Sequence, residues 1–266
     1  MLPGLLYPVG RECEATGVTG GQAVLVGAAG MVAGGVNAVV GAGSLLTFPT
    51  LLAVGYPPVL ANVSNTVGLV PGSISGAVGY RRELAGQRGR VLVLSTASGL
   101  GGVLGAVLLL QVPAAFERVV PWLILLACGL VVVQPWLSRR LAARRSTRHG
   151  GGPLLYAGVL ATGVYGGYFG AAQGVIQLAL LAVGIDEDLQ RLNGVKNVIA
   201  GVTNGLAGLV FVAVAHVAWL AAGLIALGSV VGAQFGALLA RRLSARVLRA
   251  VIVTVGVTVA VKLLVG

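Results

Sequence analysis

One lysine stands within an otherwise apolar stretch, and its polar neighbours are amides. Lys196 lies in LNGVKNVIAG, between Asn193 and Asn197. A lysine ammonium carries three N–H donors and a side-chain amide carries two, so this group suits a ligand rich in oxygen. The alternative interpretation is structural, with Lys196 either snorkelling to the nearest surface or pairing with the acidic residues 186–188. On the functional interpretation, the lysine supplies a positive charge that binds an anion at membrane depth.

Further polar residues concentrate just after two small-residue interruptions, GAGS at 41–44 and GAAQG at 170–174. A helix that breaks there exposes N–H groups with partial positive charge, and these groups favour anions. For the glycines, tight packing is the alternative role. The residues expected to bind an oxyanion are glycines, amides, hydroxyls and the lysine: Gly41, Gly43, Ser44, Asn62, Ser64, Asn65, Thr66, Gly170, Gln173, Gly174, Asn193, Lys196 and Asn197.

Carboxylates are missing from the interior of the apolar segments. The chain has seven acidic residues, and all of them fall in the first residues, in loops or at segment ends. A cation site or a proton relay at membrane depth uses acidic side chains there. Their distribution argues against both of these sites and favours an anionic solute.

The composition indicates a protein whose main solvent is lipid. Only 9% of the residues are charged and 57% are apolar, whereas soluble domains carry about 25% charged residues. Four stretches, 15–80, 91–116, 119–138 and 150–185, contain no Asp, Glu, Lys, Arg or His. Because a membrane-crossing helix needs about 20 such residues, the sequence predicts an all-helical, multi-pass membrane protein that has the lipid bilayer as a partner.

The net charge of +11 has a topological explanation. Basic residues cluster in three short segments, 81–90, 138–149 and 241–249. Such clusters are typical of the cytoplasmic side of membrane proteins. We therefore expect these three segments in the cytoplasm of a bacterial cell with the protein in its inner membrane, and we expect no nucleic-acid partner.

The sequence carries no signature of catalysis. The two histidines, His149 and His216, both fall at loops, and the two cysteines, Cys13 and Cys128, lack the spacing of a metal or redox site. A catalytic triad or a phosphate-binding loop is also missing. We predict neither an enzyme nor a cofactor.

Interruptions divide the chain into apolar segments that form two halves. The predicted halves are 1–137 and 153–266, joined by a basic cytoplasmic linker at 138–152. They look like copies, because LLAVG occurs at both 51–55 and 180–184, and an internal repeat is typical of transporters. The eight predicted segments are 21–56, 58–80, 91–112, 119–137, 153–184, 191–214, 217–240 and 248–265.

The first and fifth segments are too long for one crossing. A continuous helix over 153–184 would measure about 48 Å, against a hydrocarbon core of about 30 Å. We predict that both segments are broken or re-entrant. If each returns to its own side, six full crossings remain, all three basic segments are cytoplasmic, and the halves are inverted repeats. If both cross fully, there are eight crossings and 241–249 lies outside.

Two long motifs resemble a known family of membrane proteins. GAGSLLTFPTLLAVG with ANVSNTVGLVPGSISGAVGYRREL, within 41–84, and GVYGGYFGAAQGVIQLALLAVG with LNGVKNVIAGVTN, within 163–204, are similar to the sulfite exporter TauE/SafE family, also called the toluene-sulfonate uptake permease family. The resemblance implies a bacterial inner-membrane permease for sulfite, sulfoacetate or related organosulfonates, with export as the expected direction. The alternatives from the residues alone are a passive anion channel and a non-transporting membrane scaffold.

Overall fold

The described part of the chain is entirely helical, as predicted. The computed structural model describes residues 19–142, 152–242 and 245–265. These residues form ten α-helices and no strand: α1 (Gly20–Val39), α2 (Ser44–Val54), α3 (Pro58–Gly79), α4 (Arg88–Gln111), α5 (Pro113–Ala142), α6 (Pro153–Tyr168), α7 (Gln173–Gly184), α8 (Leu189–Val214), α9 (Trp219–Arg242) and α10 (Ala245–Val265).

Capping residues fix several of these boundaries. The Thr19 hydroxyl accepts from the Gln22 N–H at the start of α1, and Gln22 Oε1 accepts from the Thr19 N–H. Asp188 caps α8 by accepting from the Gln190 N–H at 2.8 Å. α3 and α6 each begin with proline, which suits a first helical position because it has no N–H to satisfy.

The interruptions predicted in the first and fifth segments are present. α1 stops at Val39 and α2 starts at Ser44, while α6 stops at Tyr168 and α7 starts at Gln173. Gly41 has φ +81° and Gly170 has φ +76°, a left-handed conformation that glycine adopts without the steric cost of a Cβ. The glycine at each interruption therefore makes the break possible.

The chain reverses direction at the second break. Three contacts link α6 with α7: Gly166 with Gln173, Gly158 with Leu180, and Gly184 with Leu155. The sequence separation between the contacting residues grows with distance from the break, which is the pattern of an antiparallel helical hairpin. At the first break, the position of a Gly43 Cβ would be 2.5 Å from the Ala33 carbonyl oxygen, so α2 also turns back against α1. Both interrupted segments are helical hairpins.

Close glycine contacts define the directions of the long helices. Gly34 packs on Ser229 and Gly30 on Ile225, so α1 and α9 are parallel. The Ser64 hydroxyl bonds to Ala218, just before α9, and the Ser75 hydroxyl bonds to Val230 in the middle of α9, so α3 is parallel to both helices. The C-terminal ends of α1, α3 and α9 therefore point toward the same end of the bundle.

α4, α6 and α8 make contacts equivalent to those of α9, α1 and α3. Gly101 of α4 packs on Leu160 of α6 and Gly105 packs on Val164, so α4 and α6 are parallel. α4 also packs on α8, as α9 packs on α3. Since Gly194 of α8 contacts Tyr80 and Gly208 contacts Val67, α8 runs antiparallel to α3. The α1–α9 pair thus corresponds to the α6–α4 pair, and the α3–α9 pair corresponds to the α8–α4 pair.

The fold has the length and hydropathy that a bilayer requires. α1, α4, the Pro113–Leu137 part of α5, and α8 are each long and apolar enough to cross a membrane, and α2 and α7 are shorter apolar helices. The described helices present many large apolar side chains outward, which suits lipid contact. α5 continues to Ala142, past the predicted end of the first half, and the remainder of the linker up to 151 lies outside the described residues. Of the basic segment 241–249, residues 243 and 244 are also outside.

Replacing Gly105 by valine is expected to lower the unfolding temperature of the purified protein. The added Cβ would lie 2.7 Å from the Tyr168 nitrogen and closer still to the Val164 oxygen, and overpacking a core costs about 1–3 kcal/mol. Gly129→Val is the matched control, because no atom lies within 4 Å of that Cβ. A thermal-unfolding assay in detergent measures both; equal unfolding temperatures would contradict the α4–α6 contact.

Candidate functional site

The two breaks touch each other at the centre of the protein. The Gly174 N–H donates to the Gly41 carbonyl oxygen at 3.1 Å. A Cβ on either glycine would lie 2.5 Å from the Cα of the other, and ordinary side chains do not fit at that distance. The Gly174 backbone also packs against the Lys196 side chain, whose Cδ is 3.2 Å from the Cβ position. Three of the predicted site residues are thereby brought together.

Lys196 is fully buried beside the first break. Its Nζ donates to the carbonyl oxygens of Asn37 at 3.2 Å and Ala38 at 3.4 Å. These carbonyls belong to the last turn of α1, where a helix leaves oxygens without partners and carries partial negative charge. The two ion pairs among the described residues are both made by Glu187, so no carboxylate in that part of the chain neutralises Lys196.

Two amides from α8 complete the cap on α1. The Nδ2 atoms of Asn197 and Asn193 donate to the Ala38 oxygen at 3.0 Å and 3.3 Å, and Asn193 Nδ2 also donates to the Tyr80 hydroxyl at 2.8 Å. Three donors from α8 therefore converge on one turn of α1. In the structure, Lys196 caps the end of the broken helix α1 and does not snorkel to a surface.

The second break is capped in the reciprocal way. Asn62 Nδ2, from α3 in the first half, donates to the Tyr168 carbonyl oxygen at the end of α6 at 3.0 Å. The Tyr165 hydroxyl donates to the Ala171 oxygen within the break at 2.6 Å. α8 thus holds the first break and α3 holds the second, so each break is held by a helix from the other predicted half.

Several buried amide atoms near the breaks have no protein partner among the described residues. Asn65 Oδ1 accepts from the Thr47 hydroxyl, but Asn65 Nδ2 has no acceptor. Gln173 lies against Gly166, and its Nε2 likewise has no acceptor. Because leaving a buried donor unsatisfied costs about 1–3 kcal/mol, these two N–H groups are suited to binding the oxygens of a solute.

Not every predicted site residue faces this centre. The Ser64 hydroxyl accepts from the Ala218 N–H at 2.9 Å and so caps α9, and the Thr66 hydroxyl donates to the Asn62 carbonyl of its own helix. Gly43 and Gly170 shape the turns, and Ser44 is the half-buried first residue of α2. Ser64 and Thr66 therefore have structural contacts that the sequence could not distinguish from binding roles.

A cavity of about 700 Å³ reaches the first break from one end of the bundle. Ala38 and Val39 line it at the first break, and Arg81 and Leu189 line it near the end where α3 stops and α8 starts. Its polar lining includes residues that the sequence analysis had not selected: Tyr80, Glu83, Gln134, Gln190 and Gln234. These residues follow α3 or lie within apolar helices, and no pattern in the sequence distinguished them as residues that line a cavity.

Aromatic rings pack around the second break. Phe169 stacks edge-on against Phe48 of α2 with ring centroids 5.4 Å apart, and Phe116 lies 5.4 Å from Tyr168. Phe116 belongs to the first turn of α5, whereas the cavity contacts Gln134 near the other end of that helix. The aromatic cluster and the cavity therefore lie toward opposite ends of the bundle.

Comparisons with known proteins agree on the class. Residues 26–263 match the family described as Sulfite exporter TauE/SafE. The chain is 27% identical over 212 residues to a probable membrane transporter protein of Haemophilus influenzae, covering 78% of this chain and 80% of that protein. It is 26% identical over 208 residues to the probable membrane transporter protein YfcA of Escherichia coli K12, covering 77% and 76%.

A third relative is the probable membrane transporter protein ORF9 of a Sinorhizobium species, 27% identical over 212 residues that cover 78% of this chain and 79% of the relative. No solved structure matches the chain. The family match spans both hairpins and almost all described helices, and it agrees with the resemblance noted in the two repeated motifs. The chain belongs to the sulfite exporter TauE/SafE family of membrane transporters.

Proposed function

We propose that the protein is a permease that exports a small sulfur-containing anion, such as sulfite or an organosulfonate, across the bacterial inner membrane. One observation carries the proposal: two broken helices meet beside a fully buried lysine that no described carboxylate neutralises. A buried charge is costly unless it is paired. The oxyanion provides the missing negative charge, and the proposal involves no catalysis and no cofactor.

Lys196 and the two unpartnered amide donors act together in this proposal. Among the described residues, Lys196 Nζ donates hydrogen bonds to two carbonyl oxygens, whereas an ammonium group has three N–H donors. The third N–H is assigned to the anion, and the Asn65 and Gln173 amides bind further anion oxygens. Asn62, Asn193 and Asn197 hold the ends of α1 and α6 in place around it.

Alternating access follows from the arrangement of the hairpins. The two halves are inverted repeats with six full crossings, a proposal supported by the antiparallel directions of α3 and α8 and by the exchanged helix pairings. The end of the bundle where α3 and α9 finish and α4 starts is cytoplasmic, because it carries the basic segments. The cavity then gives access from the cytoplasm, while the aromatic cluster closes the opposite side.

Flux in proteoliposomes tests the proposed function. The purified protein is reconstituted, loaded with sulfite or with ethanesulfonate, and assayed at a membrane potential set by potassium and valinomycin. We expect saturable efflux that responds to voltage, since moving one charge through 100 mV is worth about 2.3 kcal/mol. An unsaturable conductance in planar bilayers would identify a channel instead. The absence of flux for every sulfur anion tested would contradict transport and favour the scaffold.

Cysteine labelling tests the proposed sidedness. The test uses a variant without Cys13 and Cys128 in which cysteine replaces Arg88 or Ser244; Ser244 lies outside the described residues. Neither new cysteine is expected to react with an impermeant maleimide in spheroplasts. A cysteine at His216, on the opposite end of α8, is expected to react. Labelling of Ser244→Cys from outside would contradict the six-crossing topology, and permeabilised membranes provide the control for reactivity.

A further inference from the structure

Two further unpartnered atoms belong to residues that line the cavity, and both atoms are acceptors. Asn193 is 5% exposed, and its Oδ1 has no donor among the described residues. Glu83 Oε2 is buried and also accepts no hydrogen bond in that part of the chain. Both residues line the cavity of about 700 Å³. A ligand with only acceptor oxygens cannot satisfy them.

The two acceptor residues both lie beside the first turns of α8. The Cβ position of Gly194 lies 3.4 Å from Glu83 Cβ and 3.5 Å from Tyr80 Cβ, so these two side chains pack against α8 next to Asn193. The Tyr80 hydroxyl accepts from Asn193 Nδ2. The site thus combines a carboxylate oxygen, an amide oxygen and a hydroxyl, and such a set binds a group with several N–H donors and a positive charge.

This acceptor site lies close to the proposed anion site. Asn193 precedes Lys196 by three residues, a rise of about 4.5 Å along α8, and the side chains of both donate to the Ala38 oxygen. Beside the first turns of α8, the described residues therefore include a carboxylate that pairs with no cation and an ammonium that pairs with no carboxylate. A solute that carries both charges a few ångströms apart complements both.

We propose that the preferred solutes of the permease are sulfonates that also carry a primary ammonium group, with the sulfonate oxygens at Lys196 and the ammonium group bound by Glu83, Asn193 and Tyr80. The inference rests on the proposed function and narrows its substrate class to amino-substituted sulfonates.

Counterflow of two matched probes tests the inference. We expect wild-type proteoliposomes to take up 3-aminopropanesulfonate about tenfold or more faster than 1-propanesulfonate at equal concentration, because hydrogen bonds to charged groups contribute about 1.5–3 kcal/mol. Glu83→Gln is expected to bring that ratio close to one, mainly by slowing the amino probe. Glu117→Gln, at an exposed acidic residue in the first turns of α5, is the control and should keep the wild-type ratio.

The outcomes separate this inference from the proposed function. If wild-type protein moves both sulfonates at equal rates, the ammonium site is refuted while sulfonate transport stands. Propanesulfonate flux that requires sodium and shows no preference for the amino probe would also refute it, because the acceptors would then hold a coupling cation. If neither sulfonate nor sulfite moves, the proposed function itself fails. The wild-type ratio decides the inference even when Glu83→Gln does not fold.

Discussion

Lys196→Gln is expected to reduce saturable sulfonate flux by about 30-fold or more, because removing one partner of a buried charge pair costs about 2–5 kcal/mol. In the proposed site the other partner is the anion itself, so the effect should appear in transport and in anion binding. Glutamine retains an amide donor for the α1 carbonyls that Lys196 caps. Flux in proteoliposomes and equilibrium binding to the detergent-solubilised variant measure the two effects.

The control separates a binding lysine from a capping lysine. Lys262→Gln changes an exposed lysine in the last turn of α10 and is expected to leave flux within about twofold, since exposed charges contribute little. If Lys196 only caps α1, Lys196→Gln should lower the unfolding temperature while the folded fraction binds the anion normally. That result would contradict the role of Lys196 in binding. Loss of binding with a near-native unfolding temperature supports the role.

Gly41→Ala is expected to abolish transport and to destabilise the protein. The alanine would have to hold φ near +81°, and its Cβ would lie 2.5 Å from Gly174 Cα. Left-handed backbone costs about 1–2 kcal/mol for a residue with a Cβ, and the enforced separation of the breaks adds an overpacking cost of about 1–3 kcal/mol. Thermal unfolding and flux are measured on the same preparation.

Gly86→Ala isolates the backbone contribution to this effect. Gly86 has φ +79°, almost the same as Gly41, but no atom lies within 4 Å of its Cβ position. We expect Gly86→Ala to show only the modest backbone cost and to keep most of its transport. Equal effects of the two substitutions would mean that contact between the breaks contributes nothing beyond local backbone strain.

Both breaks were predictable from the sequence because they combine excess segment length with clustered glycines. The break at 41–44 lies in an apolar stretch too long for one crossing, and its counterpart at 170–174 repeats the pattern. These features depend on covalent geometry and helix length, which are local properties. The burial of Lys196 was one of the interpretations open from the sequence, because an apolar segment follows it while the acidic residues 186–188 lie a few residues before it.

The reciprocal capping of the breaks was not predictable. Lys196 and Asn62 bond to carbonyls of Ala38 and Tyr168, and backbone carbonyls have no residue signature. In the sequence, Ser64 could not be distinguished from the other predicted binding residues. Its hydroxyl caps α9, which begins more than 150 residues later in the chain. In the sequence, Glu83 is an ordinary loop residue, and its contact with α8 is seen only in the structure.

A structure determined with a bromine-substituted alkanesulfonate would test the central claim most directly, because the anomalous signal of bromine locates the solute without bias. We expect the sulfonate oxygens within hydrogen-bonding distance of Lys196 Nζ, next to the contact between Gly41 and Gly174. A solute bound only elsewhere, or two continuous helices separated from each other at residues 41 and 170, would contradict the account.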